Sequence, residues 1–158
     1  MEKAIKVGVL IVQEDKLLLI KEWSEDKKTQ LWNIVKGTFD DTIDKQFSDG
    51  AIREAKEEAG VEVSLNGFSN VIIKYGFSIR IYVNFIASIV SGEPHTASKN
   101  EQSTRKEDVT ETKWFTKTEL KELKEEEFIN DVAFETVTRW MNGETYPLNL
   151  LTEKIMKS

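Results

Sequence analysis

Apolar residues in "AIKVGVLIVQEDKLLLIKEW" fall in two almost continuous runs, β-branched or leucine-rich, divided by Glu14-Asp15. Such runs predict two strands joined as a hairpin. "LWNIV" (31–35) predicts another short strand, and "KGTFDDTID" after it predicts a turn that Gly37 permits. The period then changes. At about 100° per residue, Phe47, Ala51, Ile52, Ala55 and Ala59 share one arc, which predicts a helix from about Phe47 to Ala59 with that arc buried. Asp44 or Ser48 would cap its start and Gly60 would stop it. "VEVSL" and "VIIKYGFSIRIYVNFIASIV" predict two or three strands that bend near Gly76. Ser91 to Lys106 is polar and predicts a loop of a length that is usually functional or mobile. "ETKWF" returns as a strand, Thr116 or Thr118 caps a short helix, and "EEFINDVAFETVTRWMNG" predicts a longer amphipathic helix ending at Gly143. Strands around a central helix, followed by terminal helices, predict a mixed sheet covered by helices on two faces.

Composition narrows the chemistry more than the fold. The chain has 158 residues, 39% hydrophobic and 32% charged, the balance of one globular domain with a full core. No apolar run approaches the roughly 20 residues that span a bilayer, and the first residues lack an export signal, so a cytoplasmic protein without a membrane partner is expected. With no cysteine, thiolate metal sites and thiol nucleophiles are excluded, leaving oxygen and nitrogen groups. A net charge of -6 argues against a nucleic-acid partner. It leaves room for a phosphate ligand, because a bound divalent cation reverses the local field.

"REAKEEAG" (53–60) sets the main question. Glu54 and Glu58 are one helical turn apart with Glu57 beside them, so three carboxylates crowd one stripe. They lie towards the helix C-terminus, where the dipole disfavours negative charge, and Glu58 projects into the buried arc. Arg53 can pair with Glu57 at i, i+4, but one guanidinium cannot neutralise three glutamates, whereas a magnesium ion favours such oxygens. The bland alternative is an ordinary acidic surface helix.

With "LWNIVKG" upstream, Gly37 to Val61 resembles the signature of the Nudix hydrolase family: Gly, five residues, Glu, seven residues, then Arg-Glu-U-x-Glu-Glu-x-Gly-U, where U is aliphatic. Arg53, Glu54, Ala55, Glu57, Glu58, Gly60 and Val61 match the second half. The first half departs. Arg53 follows Gly37 by 16 positions where the pattern has 14, and the isolated glutamate has no exact counterpart; Asp44 is the nearest acidic substitute, with Asp40 and Asp41 also available. More loosely, the strand order and "EDVTETKWFTKTEL" are similar to the later part of such domains.

The resemblance implies an α/β/α sandwich and metal-dependent hydrolysis of a phosphoanhydride in a nucleoside diphosphate derivative: a nucleoside triphosphate, ADP-ribose, a dinucleoside polyphosphate or a nucleotide sugar. By the same resemblance Glu54, Glu57 and Glu58 would coordinate magnesium, or manganese, with the Gly37 carbonyl and Asp44 as outer ligands. Arg53 would orient the glutamates. The general base would be Glu54 or a later loop acid, among which Glu107 ranks ahead of Glu101 and Asp108. Lys36 would reach a phosphate and Trp23 would stack on a base, although solvation for the first and packing for the second compete as explanations. Trp32, Trp114 and Trp140 are expected in or beside the core, and His95 in solvent. A homodimer is compatible with this reading. The altered loop also admits a non-catalytic nucleotide-binding or regulatory domain.

Overall fold

The computed structural model describes residues 2–105 and 108–157. Among the described residues, seven strands form one mixed sheet: β1 (Glu2–Gln13), β2 (Lys16–Ser24), β3 (Thr29–Asn33), β4 (Val35–Thr38), β5 (Glu62–Tyr75), β6 (Ser78–Ser91) and β7 (Val109–Phe115). The path runs β3-β2-β1-β6-β5, with β4 beside β1 and β7 beside β2. Among these seven strands, β1 and β6 pair in parallel, from Glu2↔Ser78 to Ile11↔Ala87, and the other strand pairs are antiparallel.

The two continuous apolar runs are strands buried on both faces, and alternation sorts their residues between two cores. Val9, Ile11, Leu18 and Ile20 pack beneath helix α1 (Phe47–Ala59), against Ala51, Ala55 and Ala59. Leu10, Leu17 and Leu19 point to the opposite face, where α3 (Lys117–Glu122) and α4 (Asp131–Met141) cover them with Leu120, Ala133, Val137 and Trp140. The expected two-faced sandwich is the observed one, and Trp32 and Trp140 lie in the second core while Trp114 packs beside the first.

Some local expectations are met in outline and others are corrected. The first two strands are a hairpin only at Val12↔Leu17 and Gln13↔Lys16; beyond that they diverge, β1 to β4 and β6, β2 to β3 and β7. "LWNIV" is two strands: Leu31–Asn33 pairs with β2, and after Ile34 the chain crosses to pair Val35 with Val9 of β1. That crossing carries Lys36 and Gly37 under α1. "VEVSL" and "NVIIKY" belong to one long β5, bent by three register shifts against β6 rather than broken, and the reversal is at Gly76-Phe77. The polar segment contains a short helix, α2 (Lys99–Arg105). Thr116, not Thr118, caps α3, and α4 starts only after Asn130, which accepts from the Ala133 N–H at 2.8 Å.

Neither Asp44 nor Ser48 caps α1. Gln46 holds that place, Asp49 accepts its N–H at 3.0 Å, and the Glu153 carboxylate accepts the N–H groups of Phe47 and Ser48. A cap supplied from the far end of the chain leaves no local signature. At the other end Gly60 adopts the expected left-handed conformation (φ 70°, ψ 21°), and a Cβ there would also overlap the His95 ring. Gly60→Ala should therefore cost about 1–2 kcal/mol, from the positive φ and the displaced ring. Denaturant unfolding measures it; an unchanged midpoint would show that the ring and the turn relax freely.

Candidate active site

The helix face turned to the sheet is rotated from the predicted arc. Gly50, Ala51, Glu54, Ala55, Glu58 and Ala59 are the buried residues of α1, while Phe47 and Ile52 only flank the core. Two glutamates are thus inside a face otherwise made of glycine and alanine, whose small side chains let the helix approach β4 closely. Glu54 and Glu58 are 6% and 4% exposed.

Each buried carboxylate meets the crossing segment. The Lys36 backbone N–H donates to Glu58 Oε2 at 3.0 Å. Glu54 lies against Gly37, where any Cβ would run into its carboxylate. Gly37 is therefore favoured by close approach rather than by a positive φ: a side chain there would have to displace the Glu54 carboxylate from Arg53. Arg53 closes the arrangement. Its Nη1 donates to Glu54 Oε1 at 2.7 Å and to Glu57 Oε2 at 3.2 Å, and its Nε and Nη2 hold the two oxygens of Asp44 at 2.9 and 2.8 Å. Nη2 also donates to the Thr38 carbonyl at 3.2 Å.

Asp44 is buried and takes the Asp40 N–H at 3.1 Å as well, so it is anchored to Arg53 and its own loop. The guanidinium hydrogen bonds hold its carboxyl below the usual range despite burial, and the same bonds, with Glu54, raise Arg53. Glu58 is shifted the other way: burial pushes its carboxyl well up, assisted by Glu22 and Glu54 and opposed by Lys36. For Lys36 burial acts downward, but Glu58 and Glu22 outweigh it and leave the ammonium raised.

Glu22 was not singled out in the sequence. It accepts from Asn33 Nδ2 at 2.8 Å, and Lys36 Nζ stands 3.3 Å from its Oε1 and 4.0 Å from Glu58 Oε1. No motif marks it, because it is brought to Asn33 and Lys36 by the β2–β3 register, which pairs Glu22 with Leu31 and Ile20 with Asn33. Lys6 was likewise missed. Its register pairing with Thr38 brings its amine into the site, where it donates to Thr38 Oγ1 at 2.6 Å.

Lys6, Lys36, Gly37 and Arg53 face Glu54, Glu57 and Glu58 across a cleft of about 560 Å³, whose lining also includes Asp40 and Asp41 but not Asp44 or Glu22. Arg53 and Glu57 also form the rim of a neighbouring recess of about 480 Å³, together with His95 and Glu101. Glu101 is exposed and accepts from the Ser98 N–H at 3.0 Å. His95 is exposed, as expected, with its ring over Gly60. Trp23 is not brought to the cleft; its indole N–H donates to Glu25 at 3.0 Å. Asp108 is exposed beside the β2 end, its carbonyl accepting the Trp23 N–H at 3.3 Å. Glu107 lies outside the described residues.

The donor set is hard oxygen on a rigid helix, which suits magnesium or manganese. In this geometry, however, the same carboxylates hold Arg53 and Lys36, and among the described residues no three acidic or histidine side chains converge as a ready-made cage. Also among the described residues, no helix is long and apolar enough to cross a membrane.

Comparison with known proteins agrees with the geometry. The family model described as NUDIX domain matches residues 2–136. A NUDIX hydrolase from Nitrosomonas europaea superposes with a TM-score of 0.76 at 18% identity, covering 97% of this chain and 98% of that one. A MutT NUDIX hydrolase from Burkholderia pseudomallei gives 0.68 at 17% identity, over 88% and 98%. An ADP-ribose pyrophosphatase from Streptococcus suis gives 0.58 at 21% identity, over 89% and 90%. At these identities the likeness to solved structures carries the fold alone. No curated protein sequence matches.

Proposed function

The chain belongs to the Nudix hydrolase family, and from that premise we propose that it hydrolyses a phosphoanhydride bond in a nucleoside diphosphate derivative with the help of a divalent metal ion. The observation that carries the proposal is the pair of buried carboxylates, Glu54 and Glu58, on a helix pressed against Gly37 and opening on a cleft that also holds Lys6 and Arg53. Burying two acids is costly unless a cation or a reaction needs them.

Glu54, Glu57 and Glu58 would hold magnesium or manganese, with the Gly37 carbonyl beside them. When bound, such an ion supplies charge neutralisation on the phosphate oxygens and a more acidic attacking water. The chain's own groups do the rest. Arg53 fixes the rotamers of Glu54 and Glu57 while Asp44 fixes Arg53, which gives Asp44 an anchoring role in place of a ligand role. Lys6, which donates to the neutral Thr38 hydroxyl, directs positive charge at a substrate phosphate. The general base is Glu54, inside the cleft, or a later loop acid, Glu107, Glu101 or Asp108; comparing the rates of Glu54→Gln, Glu107→Gln, Glu101→Gln and Asp108→Asn decides among them.

The test is incubation with ADP-ribose, nucleoside triphosphates, dinucleoside polyphosphates and nucleotide sugars, with magnesium or manganese, and identification of every product. We expect a nucleoside monophosphate from at least one of them, and none with chelator. Saturable binding with no product at any metal concentration would support a non-catalytic nucleotide-binding domain, the reading that the displaced loop acid favours.

A further inference from the structure

The cleft contains a cation of its own. Lys36 Nζ is 3.3 Å from Glu22 Oε1 and 4.0 Å from Glu58 Oε1, while Glu54 and Glu57 pair with Arg53. Its main chain is fixed as well: the backbone N–H of the same residue donates to Glu58 Oε2 at 3.0 Å, and β4 pairing sets Lys36 opposite Gly8. The side chain therefore has little choice but to run along the Glu58 carboxylate towards Glu22. Glu22 is itself oriented, its other partner being Asn33 Nδ2 at 2.8 Å.

We propose that Lys36, anchored by Glu22, is a resident counter-ion that competes with a divalent cation for Glu58, and so limits how tightly or how many such ions the cleft binds. The inference rests on the metal-site reading given above, but concerns residues that reading leaves unused. A lysine ammonium carries one charge on a flexible stem and three donors, so it can neutralise Glu58 without fixing the geometry a metal demands. Two cations sharing one carboxylate repel across a few ångströms in a partly screened setting, which weakens the second to arrive. Glu22 decides the balance. While it draws the ammonium to 3.3 Å, Lys36 stays at the longer distance from Glu58; without that charge the ammonium would move wholly onto Glu58.

The prediction is a pattern across variants, read as the number and dissociation constant of Mn²⁺ bound to the nucleotide-free protein by electron paramagnetic resonance. Lys36→Met should tighten Mn²⁺ binding roughly five- to tenfold, or add a second ion, as expected for removing one nearby charge. Lys36→Gln should do the same, and Lys36→Arg should stay near wild type. Glu22→Gln should weaken binding, and the double variant Lys36→Met, Glu22→Gln should bind as Lys36→Met does. Thermal melts accompany each, and the two neutral variants at Lys36 guard against one of them misfolding. Unchanged or weaker binding in both neutral variants would overturn the proposal. So would a Glu22→Gln loss that persists in the double variant, since Glu22 would then act as a ligand. Because the readout is binding, it stands apart from turnover: the pattern can hold in a protein that hydrolyses nothing, and can fail in an active enzyme.

Discussion

Arg53→Met is expected to lower the melting temperature by roughly 10 °C and to remove nearly all turnover. The guanidinium joins Asp44, Glu54, Glu57 and the Thr38 carbonyl, and the Asp44 and Glu54 side chains are only 3% and 7% exposed. Methionine matches the stem but leaves those acids without it. Deleting one partner of a buried ion pair costs about 3–5 kcal/mol, and in a protein of this size each kcal/mol corresponds to roughly 2–4 °C. Surface pairs such as Lys28–Glu25 offer no comparable effect, because water already solvates them. Asp44→Asn is the graded companion. Asparagine still accepts from the Asp40 N–H but offers Arg53 one neutral oxygen in place of a bidentate charged pair, so a loss of about 1–2 kcal/mol is expected. Combining the two should be less destabilising than the sum, since the loop acid that Arg53→Met strands is then neutral. A double variant showing additive losses would mean that Asp44 and Arg53 stabilise the fold independently. If Asp44→Asn instead keeps its stability and loses turnover that added manganese restores, Asp44 is an outer metal ligand after all.

What the sequence reveals of this site is what lies on one helix. Glu54, Glu57, Glu58 and Arg53 are spaced by the helical repeat, so their proximity follows from periodicity alone, and the Gly37-to-Val61 pattern places the facing loop. The loop's internal geometry does not follow. Two extra positions move the acid off the family spacing, and whether Asp44 faces the glutamates or the guanidinium depends on how the extra residues pack. Periodicity places Ala51, Ala55, Ala59 and Glu58 on the buried face correctly but misjudges its edges: it assigns Phe47 and Ile52 to the core because they are apolar, whereas packing against β4 turns the face towards Gly50 and Glu54. Glu22 and Lys6, and the pairing of Glu22 with the already suspected Lys36, depend on strand register across separate parts of the chain, which a single sequence does not encode locally. The same is true of Glu153 at the start of α1, where the capping acid comes from a C-terminal stretch with no pattern of its own.

Glu58→Gln should separate the chemistry from the fold most cleanly. Glutamine fills the same volume, and its carbonyl oxygen can still accept the Lys36 backbone N–H that Glu58 takes at 3.0 Å. What it lacks is charge. Burial holds the Glu58 carboxyl well above the usual range, with Glu22 and Glu54 adding to the shift and Lys36 opposing it. A carboxyl raised in the folded state binds its proton more tightly there than in the unfolded chain. Ionising it therefore costs stability above the raised value, and that cost vanishes as the pH falls into the ordinary carboxylate range. Without metal, Glu58→Gln should thus melt at or above the wild-type temperature near neutral pH, and its advantage should narrow on acidification. With metal the order reverses. Magnesium should raise the wild-type melting temperature and leave the variant almost unmoved, because a ligand stabilises only the state that binds it. Turnover should drop at least about 100-fold, the scale of losing one charged group that acts on the transition state. Lys36 supplies an internal check: with Glu58 neutral there is no carboxylate charge there to contest, so a further Lys36→Met change should tighten manganese binding less than it does in the wild type. A variant that keeps the wild-type response to magnesium would remove Glu58 from the metal site and leave Glu54 and Glu57 to hold the ion.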